Sequence, residues 1–257
     1  MADPTGWYLY AITAPEATCD LRGLTPVASA DGQAGDELRV VRAGAIAFIT
    51  SAFHGREVRP QRANIAAHHA VLQALMQSSV AFLPVAFGVV APSLSNLQAL
   101  LAANEATIAE ELDRLAGKVE LTLKVSWDVP NIYEFFVFRN PELAELRDRL
   151  QNKWGPSSRD ERIALGRTFE SLLHDARERH RANVEAILEN VALEIHEGPV
   201  KREEQVMNLT CLVERARATE FEQAVFAAAA LFDDNYAFDY SGPFPPFHFV
   251  RVALGKS

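Results

Sequence analysis

The chain has 257 residues, a formal net charge of -9 and 49% hydrophobic residues. This length predicts two domains, because a typical domain contains about 100–150 residues. An acidic chain lacks the overall basic surface that binds phosphate backbones, so nucleic acid is excluded as an expected partner. The two cysteines, Cys19 and Cys211, fit neither a disulfide framework nor a metal-ligand pair, which favours a reducing, cytoplasmic setting.

Neither the N-terminal residues nor the most apolar run of the sequence indicates membrane insertion. Residues 1–10 lack the basic and apolar regions of a signal peptide. The most apolar run, residues 80–91, is too short to cross a bilayer and is interrupted by Pro84 and Gly88. A lipid membrane is therefore not an expected partner.

The first half of the chain predicts a small α/β domain over residues 1–118. Short β-prone runs predict three strands, the last two joined through Gly44, and a proline- and glycine-rich loop covers residues 15–35. Apolar spacing of three and four predicts a helix, followed by one extended run and two further helices, the first starting at a capping box from Ser95 to Gln98. The predicted ranges are strands 7–12, 37–41 and 45–51, helix 62–77, extended run 80–90, and a helix at 105–116.

Residues 119–257 predict a second domain with a helical insertion and a C-terminal extension. Its clearest strand, residues 119–127, alternates apolar and polar side chains strictly, which predicts one buried and one wet face. Residues 158–195 have the apolar spacing of one long amphipathic helix. The other predicted elements are helices at 132–138 (alternatively extended), 141–150 and 220–232, and strands at 198–202, 207–213 and 236–240.

The order from residue 119 is strand, helix, strand, strand, helix, strand. This is the split βαβ, ferredoxin-like arrangement, in which helices cover one face of an antiparallel sheet. The predicted fold class is therefore α+β, with a small α/β domain followed by a ferredoxin-like domain that carries a long helix.

The sequence contains no recognisable catalytic or metal-binding motif. Nucleophile-elbow, dinucleotide-binding and zinc-protease patterns are all missing from the printed sequence. His68 and His69 are adjacent on a helix, so their side chains diverge by about 100°, and a structural role is favoured over a shared metal. Asp233 and Asp234 fit a turn. The sequence predicts no catalytic residue, no cofactor, no metal and no enzymatic activity.

Two segments punctuated by proline and phenylalanine are the informative ones. Residues 83–88 read Leu-Pro-Val-Ala-Phe-Gly, and residues 242–250 read Gly-Pro-Phe-Pro-Pro-Phe-His-Phe-Val. Proline fixes the backbone torsion, so aromatic side chains on such a stretch bind at a small entropic cost. The alternative is that the second segment packs against the protein's own sheet edge. The candidate interaction residues are Pro84, Phe87, Gly88, Gly242, Pro243, Phe244, Pro245, Pro246 and Phe247.

These same segments resemble motifs of the gas vesicle protein F/L family. Residues 83–88 are similar to the family's L-P-x-R-F-G stretch, and residues 242–250 are similar to its G-P-W-P-P-Y-x-F ending. Ala86 stands where the family has arginine, and Phe244 and Phe247 replace tryptophan and tyrosine. The opening strand and the long charged helix also lie where that family has them.

The resemblance implies a cytoplasmic, gas-vesicle-associated accessory or minor structural protein without catalytic activity. Its implied partners are the small hydrophobic major shell protein and other gas vesicle accessory proteins. A competing interpretation is a ferredoxin-like module that senses a small molecule, and a third is an enzyme of unrecognised type.

Overall fold

The computed structural model describes residues 6–16, 19–29, 37–55, 57–78, 80–151 and 159–252. Two compact units make up these residues. The first contains the described residues up to 120 together with 243–252, and the second contains residues 121–242. The sequence-based division placed the boundary after residue 118 and assigned everything beyond it to one domain. In the structure, the end of the chain groups with the first unit instead.

The first unit is built on an antiparallel sheet with β1 at its centre. Its strands follow the order β2-β3-β1-β4, and β5 also pairs with β1. Every residue of β3 is buried, and all but one of β1 are buried, because both strands consist almost entirely of apolar and small residues. The strands are β1 (Gly6–Thr13), β2 (Arg39–Ala43), β3 (Ile46–Phe53), β4 (Phe82–Pro84) and β5 (Val90–Ala91).

Three helices accompany this sheet: α1 (Arg62–Gln77), α2 (Leu94–Ala103) and α3 (Glu105–Leu115). The bounds of α1 agree with the prediction. The predicted capping box at Ser95 is wrong, because Ser93 is the N-cap and its side chain accepts a hydrogen bond from the Asn96 amide at 3.1 Å. Ser93 has the extended backbone of a cap, whereas Ser95 already lies in the first turn.

The extended run predicted at 80–90 is two short strands separated by an irregular segment, residues 85–89. Pro84 is paired with Ala11 and Val90 with Tyr8. The five residues 85–89 therefore lie opposite only two residues of β1, Leu9 and Tyr10, so three extra residues must loop out. Gly88 allows this loop, because its φ of 95° is one that other residues rarely adopt.

The second unit is a four-stranded sheet with strand order β7-β8-β6-β9. Helices α4 to α6 lie between its first two strands in sequence, and α7 lies between its last two, so the split βαβ order is present and the α+β class is confirmed. The elements are β6 (Lys118–Trp127), α4 (Ile132–Arg139), α5 (Pro141–Gln151), α6 (Arg159–Leu188), β7 (Glu194–Glu197), β8 (Gln205–Glu214), α7 (Ala218–Ala229) and β9 (Tyr236–Phe244).

Two predictions in this unit are wrong. The long helix ends at Leu188 rather than at residue 195, and the strand expected at 198–202 lies at Glu194–Glu197 instead. Ile195 pairs with Cys211 of β8, so cross-strand pairing overrides the helical spacing there. Residues 132–138 are helical rather than extended, with Asn131 as the N-cap. No helix within the described ranges combines the length and apolarity needed to cross a bilayer.

Candidate functional site: an apolar groove in the first unit

The two segments singled out from the sequence line one groove of the first unit. This groove has a volume of about 710 Å³, and Pro84, Gly88 and Phe247 all contribute to it. Its walls come from β1, the residues around the 85–89 segment, α2 and the end of the chain. The lining residues are Leu9, Ile12, Leu83, Pro84, Val85, Ala86, Gly88, Val89, Val90, Ala91, Pro92, Asn96, Leu97, Leu100, Phe247, Val250 and Val252.

The groove is uncharged. Asn96 is the single lining residue with a polar side chain among those described, and every other one is apolar or glycine. A concave surface of this kind binds apolar surface and rejects unpaired charge, because burying a charge without a partner is costly. The arrangement therefore supports binding rather than chemistry.

The inner wall of the groove is held by a chain of hydrogen bonds from Tyr8 and His68. The Tyr8 hydroxyl accepts a hydrogen bond from the Gly88 amide at 3.1 Å and lies 2.8 Å from His68 Nδ1. His68 Nε2 lies 3.1 Å from the Val85 carbonyl oxygen. Because a carbonyl can only accept, Nε2 carries the proton, and Nδ1 accepts the Tyr8 hydroxyl proton. Both ends of the chain thus terminate on the 85–89 segment.

Burial keeps both side chains of this pair neutral. His68 is 1% exposed, and its burial, together with the nearby His69, lowers the pKa of His68 to about 4. Burial also raises the pKa of Tyr8 well above its ordinary value. The neutral histidine is the form that can both donate to Val85 and accept from Tyr8, so the geometry and the protonation state agree.

His68 is thus a structural histidine, the favoured interpretation of the adjacent pair. No group of three potential metal-ligating side chains occurs within the described ranges. Phe87 also faces inward, packing edge-on at ring distances of 6.2 Å from Tyr8 and 5.8 Å from His68. It belongs to the support of the groove and not to its lining.

The outer wall is a C-terminal strap, residues 245–252, that is tied to the rest of the first unit by two carboxylates. Glu120 accepts hydrogen bonds from the His248 amide at 3.0 Å and from His248 Nδ1 at 2.8 Å. Glu120 is 4% exposed, so the prediction that it lies on a wet strand face is wrong. Its burial is compensated by these two donors.

The second carboxylate that holds the strap is that of Glu111, on α3. It accepts the Arg251 amide at 2.7 Å and pairs with the Arg114 guanidinium at 2.8 Å, and this pairing lowers the pKa of Glu111. Arg114 also donates to the Phe249 carbonyl oxygen. Together, Glu120 and Glu111 fix the strap along its length, although nothing in the sequence pattern indicated these contacts.

The structure divides the remaining candidate residues. Pro245 and Pro246 are buried within the strap. Gly242, Pro243 and Phe244 are exposed and lie at the end of β9, outside the described lining of the groove. The candidate residues therefore have three different environments: groove lining, inward-packed positions beside the groove, and exposed strand end.

Asp233 forms a turn and an ion pair rather than a catalytic dyad. Its carboxylate lies 2.7 Å from the Arg139 guanidinium and accepts hydrogen bonds from Asn235, and these contacts lower the pKa of Asp233 to about 2. A carboxylate that stays ionised in a half-exposed ion pair is a poor general acid. The turn interpretation of the acidic pair agrees with this geometry.

Comparison with known proteins agrees with the motifs that line the groove. The model of the family "gas vesicle synthesis protein GvpL/GvpF" matches residues 6–251. The chain belongs to this family. Among GvpL/GvpF relatives, gas vesicle protein F of a Streptomyces species is 28% identical over 214 residues, covering 83% of this chain and 88% of the relative. That of Dolichospermum flosaquae is 26% identical over 255 residues, covering 95% and 97%.

Solved GvpF structures have the same fold. The crystal structure of GvpF from Microcystis aeruginosa matches with a TM-score of 0.78 at 22% identity, covering 96% of this chain and 100% of that one. GvpF from Anabaena sp. matches with a TM-score of 0.81 at 24% identity, covering 97% and 99%. GvpL/GvpF membership confirms the resemblance drawn from the motifs and supports a gas vesicle accessory role, with gas vesicle proteins as the partner class.

Proposed function

We propose that this protein is a non-enzymatic accessory or minor structural protein of gas vesicle assembly that binds the small hydrophobic shell protein in the groove. The observation that carries the proposal is the uncharged apolar lining, built jointly by the 83–92 segment and the strap. On this proposal, the protein works in the cytoplasm at the growing gas vesicle, and other accessory proteins bind elsewhere on its surface.

A physical need for such a site exists. Apolar shell subunits associate indiscriminately in water unless their apolar surface is covered, since exposed patches of this kind drive aggregation. A groove whose walls are fixed before binding covers such a surface without paying for loop ordering at the moment of contact.

The small-molecule-sensing alternative has one observation in its favour. A volume of about 710 Å³ falls in the size range of small-ligand pockets. However, that interpretation rested on the ferredoxin-like sheet, and the groove belongs to the other unit. An apolar lining with one polar side chain also offers little to orient a polar metabolite, so shell binding is the better-supported proposal.

A charge placed in the groove tests this proposal. Val89 lines the groove and is 38% exposed, so Val89→Asp introduces a carboxylate without opening the core. Val40 on β2 is 43% exposed and lies outside the described lining, so Val40→Asp is the matched control. We expect wild type and Val40→Asp to retain co-expressed shell protein on affinity purification, and Val89→Asp to retain at least about tenfold less, because the carboxylate would be buried unpaired.

Thermal denaturation of both variants is the control for folding, and both should unfold cooperatively. Failure of the wild type to retain shell protein would contradict direct shell binding. Equal retention by Val89→Asp and Val40→Asp would remove the groove as the binding site. A second pair, Phe247→Ala in the groove and Phe244→Ala outside it, tests the same point without adding charge.

A further inference from the structure

The 85–89 segment supplies much of the groove yet has no regular secondary structure. Four of its five residues line the groove: Val85, Ala86, Gly88 and Val89. Main-chain bonds to β1 hold its two ends, from the Val85 amide to the Tyr10 carbonyl and from the Leu9 amide to the Val89 carbonyl, each at 3.0 Å. The middle of such a segment keeps one conformation only when its other backbone groups are also bonded.

Those other bonds come from buried side chains of two different elements. Tyr8 on β1 accepts the Gly88 amide, and His68 on α1 donates to the Val85 carbonyl oxygen. The two side chains are bonded to each other at 2.8 Å. A single polar bridge therefore connects the centre of the sheet, the first helix and the inner wall of the groove.

We infer that Tyr8 and His68 are positioning residues for the groove, which they keep preformed for its apolar partner. This inference rests on the proposed function, because it assigns the residues a role in the affinity of that same site. Binding to a preformed wall avoids the ordering cost that a mobile wall would impose, so loss of the bridge weakens binding beyond any loss of stability.

Tyr10 provides a matched structural comparison. Like Tyr8, it lies on β1 with a fully buried side chain, and its hydroxyl also has two partners, the Val27 amide at 2.8 Å and Ser51 Oγ at 3.1 Å. None of these three residues is among the described lining residues of the groove. Removing the Tyr10 hydroxyl therefore costs stability in the same way but leaves the groove wall bonded.

The experiment compares Tyr8→Phe with Tyr10→Phe in the full chain. Hydrogen–deuterium exchange reports the Gly88 amide and its neighbours, and affinity purification reports retention of co-expressed shell protein. We expect similar loss of stability in both variants. Only Tyr8→Phe should speed exchange in the 85–89 segment by about fivefold or more and lower shell retention about five- to tenfold. These factors correspond to the free energy of one hydrogen bond.

Equal effects of the two variants on exchange or on retention would overturn the inference, since a purely structural hydroxyl would then explain both. Faster exchange with unchanged retention would also overturn it, because the wall would be loosened without cost to binding. If wild type retains no shell protein, the proposed function fails, while the exchange contrast still decides whether Tyr8 positions the wall. Should Tyr8→Phe fail to fold, His68→Leu removes both the donor and the acceptor at the other member of the same bridge.

Discussion

Acidification should destabilise this protein through one buried histidine. The ordinary pKa of histidine is about 6.5, and burial lowers the pKa of His68 in the folded protein to about 4. The unfolded chain therefore binds a proton in a pH range in which the folded chain does not. Stability contributed by neutral His68 is present at pH 7 and is lost as the pH falls from about 6.5 to about 4.

The size of the effect follows from the width of that window. Each unit of pKa difference is worth about 1.4 kcal/mol, so the window from 6.5 to 4 corresponds to a loss of about 3 kcal/mol. The main structural cause is burial of the imidazole, which disfavours the charged form, and a protonated Nδ1 can in addition no longer accept the Tyr8 hydroxyl proton. A loss of this size is a large share of the roughly 5–15 kcal/mol that stabilises a typical domain.

The measurement is urea denaturation between pH 7 and pH 4, comparing wild type with His68→Gln and His69→Gln. His180 contributes a shift of the same sign in the second unit, so the difference between variants, not the wild-type slope, isolates His68. We expect His68→Gln to be less stable at pH 7 but to lose less on acidification, so that the two curves converge. His69 is exposed, and it contributes the smaller part of the lowering of the His68 pKa. His69→Gln should therefore lose slightly less stability than the wild type on acidification and stay far closer to it than His68→Gln. A His68→Gln curve parallel to that of the wild type would refute the reasoning.

Two further substitutions test the walls of the groove. Gly88→Ala should cost about 1–2 kcal/mol of stability from its positive φ alone, since an added Cβ meets no atom within 4 Å. It should also reduce shell retention. Gly23→Ala, with the same open surroundings and a φ of +79°, should cost a similar amount of stability and leave shell retention intact. Glu120→Gln should destabilise the protein by about 2 kcal/mol in urea denaturation and speed proteolysis of the strap, because a buried carboxylate with two donors is replaced. The control is Glu105→Gln. The Glu105 carboxylate accepts only the Ala45 amide among the bonds described, so this variant should cost about 1 kcal/mol. Equal costs for the two glutamate variants would contradict the role assigned to Glu120.

Elements with a sustained period were predictable from the sequence. The bounds of α1 follow from apolar residues that recur every three or four positions, and β6 and β8 follow from apolar residues that alternate along each strand. These patterns depend on one buried face of one element, which is a local property. The α+β class follows from the order of such elements.

The errors arose where pairing partners decide the conformation. Residues 80–90 have the composition of one strand, but the register of β1 requires three of them to loop out. Val191 continues the apolar spacing of α6 and is buried, yet it lies in the turn before β7. A buried apolar residue satisfies the helical pattern whether or not the helix reaches it, so the pattern alone could not locate the end.

The groove shows the same limit for function. The sequence identified both proline-containing segments, because unusual local composition is visible without a structure. It could not show that Pro84 and Phe247 line one cavity while Phe87 supports it from behind, since that distinction depends on which side each residue presents to β1 and to the strap. Nor could it show that Glu120 is buried, because a polar residue on a wet face and a buried anchor occupy the same position in an alternating pattern. In this chain the residues proposed to bind lie in recognisable motifs, whereas the residues that hold those motifs in place, Tyr8, His68 and Glu120, are distant in sequence and identifiable only by their contacts.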